Sequence, residues 1–236
     1  MCWVVTLSIS VRRSAASILV AASAVGVFTA WSTAGPPAAL PVASADPCPP
    51  VEVIFARGRN EQPGVGRLGQ AFVDALRARV PDKEIGVYGV NYPADTQIAE
   101  GANDMSNRIQ YMAGACPDTR LIVGGYSLGA ASAAVALSAT GGGFGFKNPL
   151  PPGVDPHIAA VVLVGNVTRR MGDSSIAPQY QGRTFEACNP ADPVCGDGFP
   201  RTIADLQRDW SSHLQDAYIG SGMVDQAADF AAGRVQ

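Results

Sequence analysis

Gly125-Tyr126-Ser127-Leu128-Gly129 is the segment of this chain that points most directly to chemistry. It fits G-x-S-x-G, in which flanking glycines let the backbone turn sharply from strand to helix and expose a serine hydroxyl as a nucleophile. The bare pattern is unspecific, and its setting narrows it. Leu121-Ile122-Val123 precedes it as an apolar strand, and the alanine-rich stretch Leu128 to Ala139 follows as a helix. The amino end of such a helix aims its dipole and free N–H groups at an oxyanion developing on a substrate.

A serine nucleophile needs a base, and the chain holds two histidines. His157 stands directly before an apolar strand, whereas acting groups in parallel sheets lie beyond the carboxyl ends of the strands. His213, among Leu206, Trp210 and Leu214, fits the order Ser, Asp, His used by α/β-hydrolases. For the acid that orients the imidazole, Asp192 and Asp197 both follow a short strand at Arg183 to Ala187. Asp192 is favoured because it lies between Cys188 and Cys195, where a disulfide would fix its carboxylate.

Alternating strands and helices must position these groups. Val51 to Ala56, Ile85 to Tyr92, Arg120 to Gly125, Ile158 to Gly165 and, more weakly, Arg183 to Ala187 read as strands. Leu68, Phe72, Leu76 and Val80 recur at helical spacing. Ile98, Ala102, Met105, Ile109 and Met112 do the same, between an N-cap at Asp95 and a closing Gly114. Ala204 to Ala217 and Val224 to Ala232 read as further helices. Strands separated by helices imply a mostly parallel central sheet with helices on both faces, an α/β fold. Gly141 to Gly153 is a loop inside this domain, and Gly141-Gly142-Gly143 leaves a helix instead of entering one, unlike a phosphate cradle.

The first 45 residues read as an export signal. Arg12-Arg13 form a basic start, Ser14 to Trp31 is uncharged and mostly apolar, and Ala43-Ser44-Ala45 suits cleavage after Ala45. A retained membrane anchor is the alternative. Residues 46–236 then form one domain with no stable membrane span. That domain has 15 basic and 20 acidic residues, a poor match to the polyanionic surface of nucleic acid or anionic lipid. Its four cysteines, Cys48, Cys116, Cys188 and Cys195, suit two disulfides in an oxidising compartment, with three connectivities open. Zinc is disfavoured by the lack of a C-x-x-C pair and the scarcity of histidine, so no metal is expected.

Phe55-Ala56-Arg57-Gly58, Pro63-Gly64-Val65-Gly66, Val90-Asn91-Tyr92-Pro93, Gly125-Tyr126-Ser127, Cys188 through Cys195 and Ser221-Gly222-Met223 together resemble the cutinase family, especially its secreted mycobacterial members. The resemblance runs from about Cys48 to Phe230. It implies a minimal lidless α/β-hydrolase, a secreted or envelope-associated monomer acting on acyl esters or lipids without a cofactor. It also implies Ser127, Asp192 and His213 as triad, with disulfides pairing Cys48 to Cys116 and Cys188 to Cys195. The oxyanion is then expected on the N–H groups of Leu128 and Arg59. Three positions depart from the family pattern: Arg59 replaces a Ser or Thr, Leu128 replaces a Gln, and Tyr218 follows His213 by five residues instead of three. The Arg59 change keeps a weakened hydrolase scaffold, serving as an envelope binding or antigenic protein, as an alternative; acyl transfer or thioester cleavage by the same triad is another. Loops Gly141 to Gly153 and Gly196 to Ile203 are expected to wall the acyl site.

Overall fold

Strand β1 (Val51–Ala56) is buried along its whole length, as befits the inner strand of a sheet covered on both faces. Its side chains alternate between two cores: Val53 and Phe55 face one, Ile54 and Ala56 the other. The computed structural model describes residues 48–138, 145–170, 176–197 and 202–236. The expected export segment 1–45, the end of the expected helix at Ala139, the Gly141-Gly142-Gly143 run and part of the Gly196 to Ile203 loop lie outside the described residues. No helix of the described part is long and apolar enough to cross a membrane.

The remaining described strands are β2 (Ile85–Gly89), β3 (Arg120–Tyr126), β4 (Ile158–Val164) and β5 (Thr184–Ala187). All pair parallel in the order β2-β1-β3-β4-β5. Helix α1 (Gly66–Arg79) joins β1 to β2 and buries Leu68, Phe72 and Leu76 in the same core as α7 (Met223–Val235). Helix α2 (Ile98–Ala115) must pass back over β1 to reach β3, and it packs with α3 (Leu128–Ala136) on the other face. Strand order therefore reverses between β1 and β3. In open parallel sheets that switch point, beyond the carboxyl ends, is where a crevice forms.

One charge lies inside the sheet. Glu52 of β1 is buried and takes both Nε (2.8 Å) and Nη2 (2.5 Å) of Arg108 from α2. The guanidinium lies over the rings of Tyr88 and Tyr111, which accounts for a carboxylate in an otherwise apolar strand.

Several element ends differ from the expectation. Asp95 is not the N-cap of α2: its carboxylate accepts from the N–H of Thr96 and of Gln97, forming a turn, and the helix begins at Ile98. Strand β2 stops at Gly89, and α2 runs one residue past Gly114. The segment 204–217 is not one helix. It comprises α5 (Ile203–Asp209), a 3-10 turn (Trp210–His213) and α6 (Gln215–Gly220), broken at Leu214, whose ψ is 155°. Short α4 (Pro178–Gln181) precedes β5.

Candidate active site

The G-x-S-x-G turn joins β3 to α3 at the carboxyl edge of the sheet, beside the end of β1. Its glycines answer a packing demand. A Cβ on Gly129 would meet Ala56 O at 2.0 Å, and one on Gly125 would meet the carbonyl of Gly129 at 2.3 Å. With both positions bare, α3 starts directly against β1 and β3. Ser127 between them adopts φ 54° and ψ −116°, a strained conformation for a side-chain-bearing residue. Its N–H donates to Val164 O at 2.8 Å, so neighbouring β4 helps hold the turn.

Ser127 Oγ lies 2.8 Å from His213 Nε2, and His213 Nδ1 lies 2.7 Å from Asp192 Oδ2. Because Nδ1 faces a carboxylate, it carries the ring proton, leaving Nε2 to accept from the serine hydroxyl. His213 is 3% exposed, and its imidazole packs against the rings of Tyr126 and Trp210, with centroids 5.5 and 5.1 Å away. Tyr126 OH donates to the backbone carbonyl of His213, fixing the main chain that carries the ring.

Asp192 stands in the loop after β5, closed by the Cys188–Cys195 disulfide; Cys48–Cys116 ties the residues before β1 to the end of α2. Its Oδ1 accepts from Val194 N–H at 2.6 Å, and its Oδ2 accepts from both His213 Nδ1 and Tyr218 OH. Burial pushes the Asp192 carboxyl up. The hydrogen bonds from His213, Tyr218 and the Val194 amide outweigh that and leave it below its usual value, so it is ionised at neutral pH. Burial, together with Asp192, pushes the Tyr218 phenol far up and keeps it a donor. The five-residue spacing from His213 still returns Tyr218 OH to the acid, because the break at Leu214 reorients α6.

Leu128 is the first residue of α3, so its N–H has no acceptor within the helix. Arg59 lies in the loop after β1; its side chain is exposed. Buried Arg57 secures that loop by donating to Glu61 O (2.9 Å), Val90 O (3.3 Å) and Tyr92 O (2.6 Å). Asp197, the other acid considered, is 99% exposed and pairs with Arg169 at 3.9 Å. His157 ends a 3-10 turn at the amino end of β4, the opposite edge of the sheet.

Sequence reasoning missed two contributors. Tyr126 stands in the quoted motifs only as the residue before Ser127, with no role of its own. Gly165, at the end of the β4 run, has φ 60°, and a Cβ there would lie 3.2 Å from His213 Cε1 and 3.3 Å from Tyr218 OH. A glycine terminating an apolar strand was the available signal for it.

The profile of the cutinase family matches residues 47–235. The chain belongs to the cutinase family. Among curated relatives, "Probable carboxylesterase Culp2" of Mycobacterium tuberculosis is 54% identical over 204 residues, covering 86% of each chain. "Phospholipase Culp4" of the same species is 48% identical, covering 84% of each. A Trichoderma reesei cutinase solved with a phosphonate inhibitor superposes with a TM-score of 0.57 at 29% identity, over 81% of this chain and 78% of that one. The five-stranded parallel sheet with helices on both faces is the α/β-hydrolase fold of that family, and this member is a carboxylic ester hydrolase.

Proposed function

We propose that this cutinase-family chain is an exported serine esterase that cleaves short- to medium-chain acyl esters, lipid esters among them, through Ser127, His213 and Asp192. The hydrogen-bonded series from Ser127 Oγ through the imidazole to the Asp192 carboxylate is the observation that carries this reading. Ser127 Oγ attacks the ester carbonyl while Nε2 takes its proton, and Asp192 steadies the imidazolium that results. Charge on the carbonyl oxygen is taken up by the N–H of Leu128 at the amino end of α3 and the N–H of Arg59 in the loop after β1. Collapse expels the alcohol with the proton from Nε2, leaving an acyl-Ser127. Water, deprotonated by the same nitrogen, then releases the acid.

The relative named a phospholipase supports lipid esters as substrates. Two disulfides and the basic, apolar, small-residue order of residues 1–45 support export. Hydrolysis of a p-nitrophenyl acyl ester series, run beside Ser127→Ala, tests the reading. Saturable turnover that disappears in the variant, with one phosphonate bound per wild-type molecule, is expected. Turnover that survives Ser127→Ala would remove the serine from the mechanism. A folded wild type with no turnover would favour the weakened scaffold.

A further inference from the structure

Glu61 is a partly buried carboxylate four residues past Arg57 that the triad does not use. Its Oε2 accepts the N–H of Gly58 at 2.6 Å, and its Oε1 accepts the N–H of Arg67, in the first turn of α1, at 2.9 Å. Oε1 also accepts from Gln215 Nε2 at 3.1 Å, and Gln215 is two residues past His213. One carboxylate thus joins the loop after β1, the start of α1 and the segment carrying the histidine.

The backbone of Glu61 acts on the same loop. Its own N–H donates to Gly58 O at 3.3 Å. A trans peptide is planar, with its C=O and N–H pointing in opposite directions. Gly58 O and Arg59 N–H belong to one such peptide. Drawing Gly58 O into the turn therefore turns the Arg59 N–H outward. The Glu61 carboxylate fixes the preceding peptide through the Gly58 N–H, so Gly58 is held at both its nitrogen and its carbonyl. The next amide is already committed, since Asn60 N–H donates to Ala94 O at 2.8 Å.

The geometry points to Glu61 as the positioning residue that presents the Arg59 N–H to the substrate oxyanion and registers this donor against the His213 segment. This rests on the proposed role of the Arg59 amide. A carboxylate near a developing negative charge would by itself oppose catalysis. Here its lone pairs are occupied by three N–H donors, and the amino end of α1 offsets its charge. A neutral amide cannot substitute: its single oxygen can serve Gly58 or the Arg67 and Gln215 pair, while its NH2 group faces a donor at the other place.

The test is Glu61→Gln, assayed with soluble p-nitrophenyl butyrate beside wild type and Ser127→Ala, with thermal melting of each protein. We expect kcat to fall about 10- to 100-fold, because the donor is displaced and not removed, removal outright costing about 10²- to 10³-fold, and KM to stay within about threefold. Inactivation by a p-nitrophenyl alkylphosphonate should slow in parallel, because its phosphoryl oxygen uses the same donors. Glu61→Asp, which keeps the charge but is too short to span Gly58 and Arg67, is measured in the same way and gives the answer if Glu61→Gln does not fold. Ser127-dependent turnover that a folded variant leaves within twofold of wild type would overturn this inference alone. So would a rise in KM at unchanged kcat, or a loss that vanishes after correction for the folded fraction. Wild-type turnover that survives Ser127→Ala would overturn the triad reading and this inference with it.

Discussion

Replacing Tyr218 by Phe removes one oxygen from a fully buried site and leaves the ring's packing in place. That oxygen donates to Asp192 Oδ2 and accepts from Asn189 N–H at 3.3 Å. A hydrogen bond to a charged group contributes roughly 1.5 to 3 kcal/mol. In a domain of about 190 residues each kcal/mol moves the melting temperature by about 2 to 4 °C, so Tyr218→Phe should melt about 3 to 12 °C lower at pH 7. The pH dependence is the sharper test. Tyr218 helps hold the Asp192 carboxyl below its usual value, so its contribution is fully present above the unfolded pKa, near 3.9. It is lost as pH falls through the lower folded value. The gap in stability between wild type and variant should therefore narrow between pH 5 and pH 2 in urea titrations. Asp192 keeps its bonds to His213 and Val194, so kcat/KM should fall only about 3- to 10-fold, far less than loss of Asp192, the proposed triad acid, would cause. An equal stability gap at pH 7 and pH 2, or none at either, would refute the role given to this hydroxyl.

Replacing Cys188 and Cys195 together by Ala should cost about 2.5 kcal/mol, from loop-closure entropy over their separation of 7 residues, and should lower kcat because the Asp192 loop loses its closure. Urea unfolding and ester kinetics on the same preparation check both. Gly165→Ala places a Cβ 3.2 Å from His213 Cε1 at φ 60°; we expect kcat to drop at least tenfold while the melting temperature falls by only a few degrees. Equal kcat in that variant would show that the imidazole yields freely. Arg108→Ala strips Glu52 of its partner; the cost should be about 2 to 4 kcal/mol by urea unfolding, with kcat/KM unchanged at 25 °C, since the pair joins α2 to the amino-terminal half of β1, at the other end of the sheet from Ser127.

The sheet was legible because its inner strands obey a local rule. β4 is a continuous apolar run and β1 one interrupted only by Glu52, which is what burial on both faces selects, and each is observed with every residue buried. Helices α1 and α2 were equally open to reading, since Leu68, Phe72 and Leu76, and Ala102, Met105, Ile109 and Met112, mark their buried stripes. Ends were harder. Asp95 has the chemistry of an N-cap, but it spends its carboxylate on a turn two residues early. Nothing in its immediate neighbours distinguishes the two uses.

The histidine segment shows why periodicity finds the element and misses the geometry. Leu206, Trp210 and Leu214 step by four, the spacing of a buried helical stripe, yet Trp210 and Leu214 are 43% and 41% exposed while His213 is 3% exposed. In a continuous helix His213, three residues past Trp210 and seven past Leu206, would share their face, and all of them would turn inward together. The chain instead tightens into a 3-10 turn and extends at Leu214, turning the one ionisable ring inward and leaving the apolar neighbours outside. What favours this is distant in sequence. Tyr126 OH holds the His213 carbonyl, Asp192 holds Nδ1, and Ser127 meets Nε2. These partners lie at the end of β3, in the turn that follows it and in the loop after β5, and only the assembled sheet brings them together. The residue types of the site are thus a property of the sequence, whereas the orientation of its imidazole is a property of the tertiary fold.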